Sequence, residues 1–164
     1  MNPTVVLVHG AYTDATCWHR VISRLRRSGH RAIGVANPLG DLSGYAAHLS
    51  SVLASIDGPI VLAGHSCGGV VATDAATEHD NVKALVYVAA IAPDKGESVP
   101  AWRLIPSWFI YSQRDPVIPV EVSRFMADRA GAQESVELPG ASHALPAAQP
   151  QAVADIILRA ATAV

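Results

Sequence analysis

Short, unbroken apolar runs alternate along the chain with longer stretches in which apolar residues recur every three or four positions. The short runs are Thr4–Val8, Arg31–Ala36, Pro59–Ala63, Val82–Ala89, Ser107–Ser112 and Glu134–Leu138, rich in Val, Ile and Leu and bounded by Gly, Pro or Asn. Runs of that length without polar alternation predict strands buried on both faces. The longer stretches predict helices over Asp14–Ser28, Ser43–Ile56, Cys67–Glu78, Pro119–Arg129 and Gln149–Ala163. In the first, Trp18, Val21, Ile22 and Leu25 share one face and Gly29 closes the helix. In the second, Ser43 is the expected cap ahead of Tyr45, Leu49, Val52, Leu53 and Ile56, and the last presents Val153, Ile156, Ile157 and Ala160.

Strands alternating with helices predict an α/β fold: a doubly wound, mostly parallel sheet of about six strands with helices on both faces. One join departs from the rhythm. Between the fourth and fifth strands residues 90–106 are Pro-rich and irregular, with no credible long helix. Parallel neighbours need a crossover of about a dozen residues or more, and this link is just long enough. No repeat, low-complexity tract or linker divides the chain, so residues 1–164 read as a single domain.

Composition and charge remove several alternatives. Half of the residues are hydrophobic and 16% are charged, which supports a folded core rather than disorder. The net charge is -2 and the basic residues are scattered, apart from Arg24, Arg26 and Arg27 on one helix, so no nucleic-acid partner is expected. No apolar run approaches the ~20 residues of a membrane helix. Thr4–Val8 is too short for a signal peptide, so no membrane partner is expected and a cytoplasmic location is. Two cysteines, Cys17 and Cys67, make no disulfide framework. No His/Cys/Asp cluster has metal-ligand spacing, and no G-x-G-x-x-G follows the first strand, so neither a metal nor a cofactor is expected.

The chemistry concentrates in Gly64-His65-Ser66-Cys67-Gly68-Gly69, which fits G-x-S-x-G between a predicted strand and a predicted helix. A nucleophile on so sharp a turn needs an awkward backbone, and small neighbours let strand and helix approach. The helix N-terminus supplies unpaired N–H groups to a developing oxyanion. A serine also needs a base and a group to orient that base. Among seven histidines, His143 lies in the loop after the last strand, at the sheet edge that carries Ser66. His9, in the turn after the first strand, reads as structural. Folds with this elbow order their triad Ser, Asp/Glu, His. Asp115, after the fifth strand, is the expected acid, with Asp94 as its rival. The expected oxyanion donors are the backbone N–H groups of Cys67 and Ala11.

Five segments together resemble the α/β-hydrolase superfamily, and in particular small bacterial hydrolases related to plant methyl-ester esterases and hydroxynitrile lyases. They are Val-Leu-Val-His-Gly-Ala at 6–11, Gly-His-Ser-Cys-Gly-Gly at 64–69, Leu-Val-Tyr-Val-Ala-Ala at 85–90, Ile-Pro-Ser-Trp at 105–108 and Gly-Ala-Ser-His at 140–143. The resemblance implies a serine esterase acting on carboxylic esters or thioesters through the triad Ser66, Asp115 and His143. The alternatives are a lyase, cyclase or transacylase using the same triad, or a binding or receptor module of low turnover. Two departures stand out. The chain begins at what would be the relatives' third strand, and Glu97-Ser-Val-Pro-Ala-Trp102 spans the place where relatives insert a helical cap. A minimal, capless hydrolase is therefore expected, with the cap missing near 98–102; Tyr12, Thr13, Trp102 and Leu145 are candidates for the rim of an open groove, and packing roles are equally open for each. Such a groove would take a small-molecule ester or acyl substrate, bulky or carrier-tethered acyl groups included, in a monomer or a homodimer.

Overall fold

The structure, a computed structural model, describes residues 2–37, 41–93 and 105–164. Among them six strands form one all-parallel sheet: β1 (Thr4–Val8), β2 (Ala32–Val35), β3 (Ile60–His65), β4 (Val82–Val88), β5 (Ser107–Ser112) and β6 (Glu134–Leu138), in the order β2-β1-β3-β4-β5-β6. The helices are α1 (His19–Arg27), led by a 3-10 turn over Ala15–Trp18, α2 (Leu42–Ala54), α3 (Gly68–Ala76), α4 (Val120–Ala130), α5 (Leu145–Ala148) and α6 (Pro150–Thr162).

Alternate residues of each central strand feed two cores. Val5, Leu7, Val61, Ala63, Val86 and Ile110 pack with Trp18, Val21 and Leu25 of the first helical segment and with Val153, Ile156 and Ile157 of α6. Val6, Leu62, Leu85, Tyr87 and Phe109 pack with Leu49 and Leu53 of α2, Val71 and Ala72 of α3 and Met126 of α4. The sheet is thus covered on both faces, and side-chain period two along an apolar strand explains why neither face could be polar. Each fully buried Leu or Ile contributes about 1.5–3 kcal/mol relative to exposure. The edge strand β6 is only partly buried, and it carries Glu134 and Glu137, paired with Arg159 at 2.8 Å and Arg124 at 2.7 Å.

Several boundaries move for local reasons. Asp41, not Ser43, caps α2, its carboxylate accepting Gly44 N–H at 2.8 Å, with Ser43 Oγ donating to the same oxygen. β3 continues through Gly64 and His65 before the turn. β4 stops at Val88 because Ala89 takes a positive φ of 42°. α4 ends at Gly131 in the left-handed region, φ 62°. The short α5 falls where a loop was expected.

Register aligns the C-terminal ends of the strands. Val8 pairs with Gly64, His65 with Val88, Val88 with Ile110 and Ser112 with Leu138. Strand order reverses at β1, which lies between β2 and β3, so the chain's two directions of travel part there. Open α/β sheets bind ligands outside the strand ends at such a switch point.

Candidate active site

Ser66 follows β3 at φ 55°, a left-handed conformation costly for a residue with a Cβ. The turn survives because its backbone is tied on both sides. Ser66 N–H donates to Ala89 O at 3.1 Å, and Ser66 O accepts N–H from Gly69 and from Ile91, each at 3.1 Å. Two glycines are demanded by close approach. A Cβ on Gly64 would lie 2.5 Å from Gly68 O, where strand and helix meet, and one on Gly10 would lie 2.7 Å from Ser66 Cβ. The non-glycine residues with positive φ among those described are Tyr12, Ser66 and Ala89, each just beyond the C-terminal end of a strand at this edge.

Three strand ends bring the predicted chemistry together. His143 Nε2 lies 2.9 Å from Ser66 Oγ, and His143 Nδ1 lies 2.7 Å from Asp115 Oδ2. Asp115 comes from the loop after β5 and His143 from the loop after β6. The Asp115 side chain is 1% exposed, and its other oxygen accepts Val117 N–H at 2.8 Å and Ile118 N–H at 3.0 Å. A carboxylate so supplied with donors is held in place and remains an acceptor for an imidazole N–H. That assigns the proton to Nδ1 and leaves Nε2 free to accept from the Ser66 hydroxyl. Ser112 Oγ donates to Ala141 O, tying the His143 loop back to β5. Asp94 lies outside the described residues.

The two expected oxyanion donors differ in what they meet. Cys67 N–H stands ahead of α3 with no acceptor among the described residues. Ala11 N–H, the other expected donor, points to Cys67 Sγ at 3.1 Å, so the thiol occupies it. His9 is buried and holds the loop from below. Its Nδ1–H donates to Gly10 O at 2.8 Å and its Nε2 accepts Asn37 N–H at 3.1 Å.

The expected rim residues divide. Tyr12 is fully exposed beside Ala11. Thr13 is exposed too, and its hydroxyl donates to Gly10 O at 3.1 Å, stapling the loop. Leu145 takes the packing alternative: at 0% exposure it opens α5 and lies in the core cluster with Trp18 and Ile156, so it lines no groove. Trp102 and the expected cap position at 98–102 lie outside the described residues. Cys17 and Cys67 are free thiols, and burial pushes the Cys17 thiol up to about 11. Among the described residues no group of three His, Cys, Asp or Glu could hold a metal ion, and no helix is long and apolar enough to cross a membrane.

Sequence reading missed His65, which is 4% exposed and sets its Nε2 3.0 Å from the carbonyl oxygen of His143. The partner lies 78 positions away, and no local pattern announces it.

Comparison with known proteins gives these three residues a setting. Esterase PIR7B of Oryza sativa subsp. japonica is 37% identical over 107 residues, covering 56% of this chain and 40% of that protein. A carbendazim hydrolyzing esterase of Nocardioides sp. (strain SG-4G) is 34% identical over 109 residues, covering 58% of this chain and 45% of that protein. The chain thus spans less than half the length of these curated relatives. In fold, a methylesterase from Arabidopsis superposes with a TM-score of 0.86 at 17% identity, over 99% of this chain and 100% of that one. The model of the alpha/beta hydrolase family matches residues 5–98, more than half of the sequence, and the chain belongs to that family.

Proposed function

We propose that this chain is a serine hydrolase that cleaves carboxylic esters or thioesters through an acyl-enzyme on Ser66. The observation that carries the reading is the unbroken relay from Ser66 Oγ to His143 at 2.9 Å and on to Asp115 at 2.7 Å. The similarity to esterases of Oryza sativa and Nocardioides favours the same chemistry.

His143 Nε2 takes the hydroxyl proton as Ser66 Oγ attacks the substrate carbonyl, and Asp115 stabilises the imidazolium that forms. The carbonyl oxygen, now negative, is received by Cys67 N–H at the start of α3 and by Ala11 N–H once Cys67 Sγ gives way. The imidazolium then protonates the departing alcohol or thiol. Water, deprotonated by the same imidazole, attacks the acyl carbon and releases the acid and Ser66.

The shortness of the link in sequence from Val88 to Ser107 favours an uncapped, open groove. The fully exposed Tyr12 fits that geometry. An uncovered groove accepts bulky or carrier-tethered acyl groups and discriminates weakly among small activated esters.

Labelling with a fluorophosphonate, followed by a panel of esters and thioesters of graded acyl length, tests the reading. The wild-type chain is expected to label on Ser66 and to turn over several esters. Ser66→Ala is expected to remove labelling and to lower turnover about 10⁶-fold while leaving the fold intact. Turnover retained in Ser66→Ala, or a wild-type chain inert to the probe, would sink it, and a steep preference for one small ester would count against the open groove.

A further inference from the structure

His65 ends β3 one residue before Ser66, and no step above uses its ring. Its Nε2 lies 3.0 Å from His143 O. A carbonyl only accepts, so Nε2 carries the proton. The buried Nδ1 has no partner among the described residues and bears the lone pair. The ring meets Trp18 edge-on at 6.4 Å and tilts against the His143 ring at 5.0 Å.

We propose that His65 is a positioning residue for the general base: by donating Nε2–H to the His143 carbonyl it fixes the backbone from which that imidazole reaches Ser66. The inference rests on the acyl-transfer reading. Asp115 grips the His143 ring from the Nδ1 side, which settles rotation of the side chain but not the height of the loop that carries it. The Ser112 bond to Ala141 O holds the loop two residues earlier, and the His65 bond holds the residue that carries the imidazole itself. Leu145 N–H, at 2.8 Å from the same carbonyl, closes the turn into α5. Because His65 and Ser66 are consecutive, base and nucleophile are referred to one strand end rather than to two independent loops.

A neutral ring suits the task. Burial holds His65 down to about 4; the bond to the His143 carbonyl and the Asp115 carboxylate favour its protonated form, and the His143 and His9 rings oppose it. A cation 5.0 Å from His143 would oppose the imidazolium that forms during acyl transfer.

Two substitutions separate donor from ring. His65→Phe keeps an aromatic ring and loses the N–H, whereas His65→Gln keeps an N–H donor and loses the ring. For an activated ester, His65→Phe is expected to lower kcat about 10- to 100-fold, in keeping with displacement of a reacting group by a fraction of an ångström, with KM nearly unchanged and fluorophosphonate labelling slowed in parallel. His65→Gln is expected to recover most of that loss. Wild-type labelling in His65→Phe, or equal losses in both variants, would overturn the proposal. Should His65→Phe not fold, nitrogen NMR of the unsubstituted protein decides. A neutral His65 with its proton on Nε2 from about pH 5 to 8 supports the proposal, and an Nδ1–H tautomer or protonation within that range refutes it. A wild-type chain that does not label at all tells against the acyl-transfer reading instead, while the tautomer measurement still reports on the bond itself.

Discussion

The two halves of the site are prepared to different degrees. On the proton-relay side each group is engaged: Asp115 accepts from Val117, Ile118 and His143, and His143 is met at its ring by Asp115 and at its carbonyl by His65. On the anion side Cys67 N–H has no acceptor among the described residues, and Ala11 N–H is occupied by a sulfur that, on the proposed mechanism, a substrate oxygen would displace. The contrast has a physical basis. The relay must hold its geometry before substrate arrives, because its partners are all protein groups. On the proposed mechanism the oxyanion donors acquire their partner only when charge develops, and an N–H···S contact is a weak one to surrender.

Substitutions on each side can break that comparison. On the relay side, Asp115→Asn keeps the shape but removes the charge and the preference for the productive tautomer, and a fall in kcat of about 10⁴-fold is expected. A loss below tenfold in steady-state kinetics would show that His143 is oriented without Asp115. On the anion side, Gly10→Ala places a Cβ against Ser66 Cβ at 2.7 Å and His65 O at 3.1 Å, so the loop bearing Ala11 N–H and the Ser66 turn must move apart. Loss of one oxyanion donor corresponds to about 10²–10³ in kcat, with KM little changed. Unaltered kcat in that variant would remove the β1 loop from the mechanism. The smallest effect is expected for Cys67→Ala, which deletes the sulfur on Ala11 N–H and keeps the Cys67 position's backbone donor. A rise in kcat/KM of about two- to tenfold corresponds to the 0.5–1.4 kcal/mol of a modest hydrogen bond. A decrease would mean that the thiol supports the loop rather than competing for it.

Much of this was readable before any coordinates. Gly64 to Gly69 announced the elbow because close approach leaves no room for side chains, and Asp115 and His143 followed from chain order and from loops at a common sheet edge. The failures are equally physical. For Leu145 the sequence left rim and core equally open, because a four-residue helix has too little periodicity to reveal which way it faces. Ser43 and Asp41 are both good caps two positions apart, and local sequence does not choose between them. Residues 134–138 looked like a buried strand, whereas strand order makes them an edge.

Hydrophobic period and turn chemistry, both local properties, determined the alternation of strands and helices, the doubly wound class and the identity of the three converging side chains. Only the tertiary structure decided which strands are neighbours, that the Ala11 donor rests on the Cys67 sulfur, and that His65 reaches a carbonyl 78 positions away. Those contacts depend on register between distant strands, to fractions of an ångström, and no periodicity along a chain encodes a distance across a sheet.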